Sequence, residues 1–186
     1  IQKLIEFGTT EHRQQFVNII EGHVVELSLH TYGCRVIQRA IEFINADQLH
    51  IIAKELKGSI VSFVEDQNGN HVVQKFIEHM SLPQHVEMIC KEVNGNIFSF
   101  SQHPYGCRVV QRLIERKEDA IQHTVNSELR GYIWDLAVNQ YGNYVIQHML
   151  ENGTEYQHNM IVREMKGKFC EYSTKKYSSN VVEKCV

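Results

Sequence analysis

The sequence HTYGCRVIQR occupies residues 30–39, and related versions of it return four more times along the chain. They read DQNGNHVVQK at 66–75, HPYGCRVVQR at 103–112, NQYGNYVIQH at 139–148 and KKYSSNVVEK at 175–184. The intervals between them are 36, 37, 36 and 36 residues. A series of glycines has the same spacing, including the single interval of 37 residues: Gly22, Gly58, Gly95, Gly131 and Gly167. Two series in one register indicate a tandem repeat of about 36 residues.

Each repeat is expected to contain three helices. After Gly22, a short segment covers about 23–29, a longer one about 33–43 and a third about 47–57. Glycine directly after the third segment is typical of a left-handed helix cap. The pairs Ser81/Gln84 and Thr154/Gln157 have the spacing of capping boxes that open the third helix. The extra residue of the 37-residue interval falls at about 81–84, which predicts a loop there.

The middle segment separates its residues into two faces. At 100° per residue, Val36, Ile37, Ala40, Ile41 and Ile44 form an apolar stripe. Cys34, Arg35, Gln38, Arg39 and Glu42 form a polar stripe directed away from the core. A single repeat cannot bury its apolar stripe alone, so neighbouring repeats must stack. The pattern predicts an all-α fold, a curved α-solenoid of three-helix repeats in an armadillo-like superhelix.

Length and composition restrict the class of protein further. The 186 residues are 42% hydrophobic and 22% charged, which is typical of a globular chain rather than a disordered one. No uninterrupted hydrophobic run exceeds three residues, which excludes a membrane-spanning helix and a signal peptide. Five cysteines without a C-x-x-C pair favour a reduced, intracellular chain. The net charge of −3 gives no general support for nucleic-acid binding, so that function depends on local arrangement.

The repeat pattern predicts one domain over residues 1–186. Full repeats are expected at 22–57, 58–94, 95–130 and 131–166, with partial repeats at 1–21 and 167–186. Residues 1–6 match the end of the middle segment at 37–42, and residues 180–186 match a middle segment that stops early. We therefore expect a fragment of a longer array, without the terminal repeats that cap solenoids.

Three positions on the polar face, i, i+1 and i+4, vary together from repeat to repeat. The triplets are Cys34/Arg35/Gln38, Asn70/His71/Gln74, Cys107/Arg108/Gln111, Asn143/Tyr144/Gln147 and Ser179/Asn180/Glu183. Positions i and i+4 lie one turn apart and can together contact the edge of a flat ligand. Position i+1 always carries a planar group, and Arg and aromatic groups stack on bases at about 1–3 kcal/mol each.

These motifs resemble the repeats of the Pumilio (PUF) family of single-stranded RNA-binding proteins, and the resemblance extends over the whole chain. It implies one base per repeat, with the RNA antiparallel to the protein. The implied base-edge residues are Cys34, Gln38, Asn70, Gln74, Cys107, Gln111, Asn143, Gln147, Ser179 and Glu183. The implied stacking residues are Arg35, His71, Arg108, Tyr144 and Asn180.

The resemblance also implies a cellular role. Members of this family repress mRNAs after transcription through elements in the 3′-untranslated region, which places this chain in the cytoplasm. The implied partners are single-stranded RNA and, on the convex face, repressor or deadenylase-type proteins. No DNA, membrane, metal or cofactor is implied.

Hydrogen-bond chemistry assigns a base to each triplet. An ionised Glu183 only accepts, which suits the two adjacent donors of guanine. Glutamine both donates and accepts, so Asn with Gln suits uracil, and the small Cys34 or Cys107 with Gln suits adenine. From the last repeat to the first, the predicted RNA is 5′-GUAUA-3′, which is similar to the core of the family's UGUA-type element. The base opposite Gln2 in the partial first repeat stays undetermined.

Cationic side chains follow the i+4 position. Arg39, Lys75, Arg112 and Lys184 are candidate phosphate contacts, and His148 takes the equivalent place in the fourth triplet. Such a stripe predicts salt-sensitive binding. The alternative is that Arg39 and its counterparts only pair with neighbouring glutamates such as Glu42.

The sequence gives little support for other functions, such as metal binding or catalysis. The pairs His30/Cys34 and His103/Cys107 have helical metal-ligand spacing. Because they are two repeats apart and helices pack at about 8–10 Å, they cannot share one ion. No catalytic Ser/His/Asp set, paired carboxylates or phosphate loop can be argued, so no enzyme is expected. The resemblance to the Pumilio family also makes the loop at 81–84 a candidate contact for a repressor protein. The competing class is an armadillo- or HEAT-like protein scaffold. Those repeats have periods of about 40–47 residues and do not explain the triplet rule.

Overall fold

A computed structural model describes residues 1–185, and these residues form sixteen helices and no strand. Contacts divide the chain into two compact units, Ile1–Val93 and Asn94–Val186. The all-α repeat organisation predicted from the sequence is confirmed. Among the described helices, none combines the length and the apolar character needed to cross a bilayer.

The first unit contains eight helices. They are α1 (Gln2–Phe7), α2 (Thr10–Ile20), α3 (Val24–Leu29), α4 (Gly33–Phe43), α5 (Ala46–Leu56), α6 (Ile60–Glu65), α7 (Gly69–His79) and α8 (Pro83–Val93). The middle helices α1, α4 and α7 pack side by side, and the third helices α2 and α5 do the same. Each short helix, α3 or α6, contacts both the middle and the third helix of its repeat. The core therefore lies between a layer of middle helices and a layer of third helices.

The second unit repeats this arrangement. Its helices are α9 (Ile97–Ser101), α10 (Gly106–Glu115), α11 (Asp119–Leu129), α12 (Ile133–Ala137), α13 (Gly142–Asn152), α14 (Glu155–Met165), α15 (Phe169–Ser173) and α16 (Ser178–Cys185). The middle helices α10, α13 and α16 form one row, in which each packs on the next. Within that unit, equivalent polar positions are thus presented side by side.

The predicted apolar stripe is largely the observed core. Ile37, Ala40 and Ile41 on α4 are at most 1% exposed, whereas Val36 and Ile44 at the margins are partly exposed. Cys34, which the helical wheel placed on the polar face, is also buried. Position i therefore lies at the edge of the core, and only i+1 and i+4 are directed outward.

Each third helix is followed by a glycine in the left-handed region. The φ angles are 85° at Gly22 and Gly58, 83° at Gly95, 88° at Gly131 and 79° at Gly167. Because L residues rarely adopt this conformation, glycine suits the turn from the third helix to the next repeat. The predicted left-handed caps are confirmed at all five positions.

A glutamate on the third helix of the same repeat caps the short helix. Glu55 on α5 accepts hydrogen bonds from Gly22 N (2.7 Å) and Val24 N (3.0 Å) at the start of α3. Glu92 caps α6 in the same way, and Glu128 caps α9. The N-cap residues of α3, α6 and α9 make no side-chain cap bond of their own. These glutamates therefore tie the first and third helices of one repeat together, a role that sequence inspection missed.

Of the two predicted capping boxes, one is confirmed and one is wrong. Thr154 and Gln157 form the predicted box at the start of α14, and Asn45 with Gln48 forms another on α5. The box at Ser81 and Gln84 was wrong, because α8 begins at Pro83. The inserted residue lies in the loop before α8, as expected, and moves the helix start by one position. His85 consequently takes the buried place that Gln48 and Gln157 occupy in their repeats.

Candidate nucleic-acid interface

In four of the five repeats, a side chain four residues before position i fixes the turn that starts the middle helix. His30 Nδ1 accepts hydrogen bonds from the backbone N–H groups of Tyr32 and Gly33, both at 3.2 Å. Equivalent pairs of bonds are made by Asp66, His103 and Asn139. His30 and His103 therefore have a structural role at the positions where a metal ligand was considered. In the described part of the chain, no group of three or more potential ligands is placed to hold a metal ion.

The small residue that follows this turn lets the middle helix approach the short helix closely. A Cβ atom at Gly33 would lie 2.5 Å from the carbonyl oxygen of Leu27, and one at Gly106 would lie 2.7 Å from that of Phe100. In the last repeat Ser178 takes this place, is fully buried, and donates its hydroxyl to Tyr172 O at 2.7 Å. The close approach fixes the position of each triplet relative to the core.

The residues at position i are held by backbone carbonyls of the preceding turn. The Cys34 thiol donates to Thr31 O and the Cys107 thiol to Pro104 O, both at 3.5 Å. Burial raises the pKa of both thiols, so they stay protonated at neutral pH. Asn70 Nδ2 donates to Asp66 O at 2.7 Å, and Asn143 is anchored in the same manner.

In the two Asn/Gln triplets the asparagine orients the glutamine. Gln74 Nε2 donates to Asn70 Oδ1 at 2.9 Å, and Gln147 Nε2 donates to Asn143 Oδ1 at 2.9 Å. Both asparagines are 1% exposed, whereas both glutamines are half-buried. Each glutamine thus keeps its carbonyl oxygen and one N–H directed outward, which gives one acceptor and one donor side by side.

The Cys/Gln and Ser/Glu triplets present different groups. Gln38 is half-buried, whereas Gln111 is 4% exposed and accepts a long hydrogen bond (3.5 Å) from Arg108 Nη1. Glu183 is exposed, and the half-buried Ser179 donates to Lys176 O at 3.3 Å. The last triplet therefore presents a carboxylate where the others present an amide.

The planar residues at i+1 are all exposed: Arg35, His71, Arg108, Tyr144 and Asn180. Within the second unit, the guanidinium of Arg108 lies over the ring of Tyr144, 5.8 Å from the ring centroid. Arg35 and Arg108 form no ion pair with any residue of the described chain. They keep their positive charge, and an exposed guanidinium suits stacking on a base.

The cations after position i+4 are paired with glutamates. Arg39 Nη1 lies 2.9 Å from Glu42 Oε2, and Lys75 Nζ lies 3.1 Å from the other oxygen of Glu42. Further pairs join Lys75 to Glu78, Arg112 to Glu115, His148 to Glu115 and Lys184 to Glu151. The hydrogen bond to Glu78 raises the pKa of Lys75, and that to Glu151 raises the pKa of Lys184. The structure thus shows the glutamate pairing that was the alternative to phosphate contact, and the phosphate role stays a prediction.

A family model described as a Pumilio-family RNA binding repeat matches residues 1–21, 23–57, 59–93, 96–123, 132–166 and 168–186. Among curated proteins, the chain is 35% identical over 81 residues to a Pumilio domain-containing protein of Schizosaccharomyces pombe. That alignment covers 43% of this chain and 12% of the relative. It is 54% identical over 48 residues to Pumilio homolog 1 of Xenopus laevis, which covers 26% of this chain and 4% of that protein.

Solved structures match over nearly the whole chain. The Puf3 RNA binding domain bound to a Cox17 RNA 3′ UTR recognition sequence has a TM-score of 0.91 and 39% identity, covering 98% of this chain and 55% of that one. PUF-8 in complex with PBE-RNA has a TM-score of 0.92 and 41% identity, covering 99% of this chain and 54% of that one. The chain therefore spans little more than half of the solved domains it matches, and a smaller share of the curated relatives.

Proposed function

The chain belongs to the Pumilio family of RNA-binding repeats, and on this premise we propose that it binds single-stranded RNA sequence-specifically, one base per repeat, without catalysis. Two similar structures are complexes with RNA, namely Puf3 with a Cox17 RNA 3′ UTR sequence and PUF-8 with PBE-RNA. The fold shared with them supports the transfer of the binding mode to this chain.

One observation carries the proposal: each middle helix presents an exposed planar residue next to a polar group held one turn away. His71 with Gln74, and Tyr144 with Gln147, are the clearest cases, because the buried asparagines fix the direction of the glutamine amides. The planar group supplies stacking energy, and the amide or carboxylate reads the base edge. A solvated helix face would not need an anchored amide at the same place in two repeats.

The proposed site consists of the five triplets, taken as one array over residues 1–186. Its code is 5′-GUAUA-3′, with Glu183 opposite G, Gln147 and Gln74 opposite U, and Gln111 and Gln38 opposite A.

The proposed biological role is repression of mRNAs in the cytoplasm through 3′-untranslated elements. The Puf4 RNA binding domain, another similar structure, is bound to an HO endonuclease RNA 3′ UTR recognition sequence. Recruitment of repressor proteins belongs to the same proposal.

The test is fluorescence anisotropy with a short labelled RNA that contains GUAUA, against the same RNA with CUAUA, at two salt concentrations. Tighter binding of the G form is expected, because a cytosine amino group and ring nitrogen cannot give Glu183 two donors. Equal binding that depends strongly on salt would contradict the base code. If neither RNA binds and a thermal melt shows a folded protein, the scaffold function replaces this proposal.

A further inference from the structure

A cavity of about 380 Å³ opens between the third helices α5 and α8 of the first unit. Its wall includes Lys54, Lys57 and Lys91, and Glu87 is the one acidic residue of its lining. None of the three lysines forms an ion pair within residues 1–185. The cations that follow the i+4 positions, in contrast, are paired with glutamates. On a chain with a net charge of −3, this cavity is locally positive.

A histidine pair forms part of the wall of this cavity. His50 Nδ1 and His85 Nε2 are 3.2 Å apart, and the two rings stack with their centroids 5.4 Å apart. His85 is 1% exposed, and its Nδ1 has no hydrogen-bond partner in the described structure. A buried polar atom left without a partner costs about 1–3 kcal/mol, so such an atom calls for an explanation.

The other repeats do not build this pair. Gln48 and Gln157 stand in the place of His85, and each of them makes hydrogen bonds through its side chain. In this repeat the inserted residue brings His85 into that place on the first turn of α8. The features thus combine an unsatisfied buried imidazole with three unpaired ammonium groups.

We propose that this cavity binds an oxyanion, a carboxylate or phosphate, carried by a side chain of a partner protein segment. The lysines supply charge. When His50 Nδ1–H donates to His85 Nε2, the unpaired His85 Nδ1–H is the donor that the anion would satisfy. The volume suits one side chain and lies within the usual range of about 300–1,000 Å³ for ligand pockets. A protein segment is favoured over RNA because the proposed readers of this unit lie on the other layer, on α4 and α7. The proposal does not depend on RNA binding.

The test uses the whole chain labelled with ¹⁵N. Inorganic phosphate and a short polyglutamate peptide are titrated separately while amide and imidazole resonances are followed by NMR. We expect saturable shifts at Lys54, Lys57 and the His50/His85 rings, unchanged signals at Gln74 and Gln111, and tighter binding of the peptide. The double variant Lys54→Gln/Lys91→Gln, changed at two exposed positions, is expected to lose at least tenfold in affinity with an unchanged thermal melt.

Three outcomes would overturn the proposal. Absence of saturation, or shifts spread over lysines throughout the chain, would show only nonspecific surface charge. An unchanged affinity in the double variant would remove the lysines from the site. A single-stranded RNA without GUAUA that shifts the cavity resonances, while the peptide does not, would make the cavity an RNA phosphate contact instead.

Discussion

Asn70 and Asn143 fix the amide group of the glutamine one turn later, although they are themselves almost completely buried. The hydrogen-bonding groups that face outward are those of the glutamine amides. They present one donor and one acceptor in a fixed order. Adenine and uracil have opposite orders of donor and acceptor on the edge that pairs. An anchored amide can therefore favour one of them, and the cysteines at position i provide no such anchor.

At the residue scale, Glu183→Gln is expected to shift the preference at the first base away from G. An amide replaces one of the two acceptors with a donor, which repels a guanine donor. We expect a loss of about 1–3 kcal/mol of discrimination, on the scale of bidentate base contacts. Anisotropy with RNAs that differ only at this base measures it. Lys184→Gln is the control, and an unchanged G preference in Glu183→Gln would refute the edge assignment.

His85→Gln is expected to make stability less dependent on pH. Burial and the neighbouring His50 lower the pKa of His85 below 6.5, so the unfolded chain binds more protons between the folded pKa and 6.5. The stabilising contribution of the neutral, buried His85 is present above pH 6.5 and is lost as the pH falls through the pKa that His85 has in the folded protein. Urea unfolding at about pH 7.5 and about pH 5.5 measures the difference. The exposed His123→Gln serves as the control, and an equal pH dependence in His85→Gln and wild type would contradict the prediction.

At the element scale, the glutamate caps explain how short helices of five or six residues persist. Helices this short are unstable alone, so their free N–H groups need partners from elsewhere in the fold. Glu55, Glu92 and Glu128 provide them from the third helix of the same repeat. The cap therefore links the short first helix of a repeat to its third helix.

Glu92→Gln tests this link. The amide can accept from only one of the two N–H groups of Gly58 and Ile60, which now lie 2.8 and 3.2 Å from the carboxylate. We expect a loss of about 1.5–3 kcal/mol in the free energy of unfolding, the range for hydrogen bonds to charged groups. Glu164→Gln is the matched control, because Glu164 makes no such bond in the described chain. Equal effects of the two variants would show that the cap contributes nothing.

Gly106→Ala tests the close approach of α10 to α9. The new Cβ atom would lie 2.7 Å from Phe100 O, so the helices must separate. We expect a destabilisation of about 1–3 kcal/mol, as for other overpacked sites. Gly131→Ala is an instructive comparison, since nothing lies within 4 Å of its Cβ and only the positive φ is strained. Thermal unfolding of both variants separates contact from backbone strain, and a Gly106→Ala melt equal to wild type would refute the close-approach argument.

At the scale of the whole molecule, the balance of charges determines how RNA binding responds to salt. Most of the cations next to the proposed readers are neutralised by glutamates, whereas Arg35 and Arg108 are not. We therefore expect a modest salt dependence, with a slope near −0.7 for each phosphate neutralised on a single strand. Stacking and edge contacts then carry a larger share of affinity than charge does.

Glu42→Gln is expected to leave Arg39 and Lys75 less neutralised, because it removes one of the two carboxylates beside each of them; Glu6 stays near Arg39 and Glu78 near Lys75. RNA binding should become tighter, and the slope of log affinity against log salt should steepen by about 0.7 for each cation that gains a phosphate. Glu87→Gln on α8 removes the same charge on the other layer and is the control. Equal slopes in both variants would mean that Arg39 and Lys75 do not approach the RNA backbone.

The sequence by itself determined the repeat, the number and order of its helices, and the positions of the triplets. The predicted segment 33–43 is the observed α4, and the segment 47–57 differs from α5 by one residue. These features are local, because apolar periodicity and glycine caps are encoded within a single repeat of the chain. The Ser81/Gln84 box failed since one inserted residue changes a helix start without changing the pattern around it.

Only the tertiary structure decided which side chains distant in the sequence meet. The glutamate caps, the pairing of Lys75 with Glu42, and the His50/His85 contact all join residues more than 30 positions apart in the chain. It also decided that Asn70 is buried and that His30 caps a turn rather than facing a ligand. Such contacts depend on how the helices stack, and a difference of a few ångströms decides whether two groups bond. The physical reason is that hydrogen bonds and ion pairs are short-ranged, whereas sequence spacing specifies only a face of a helix.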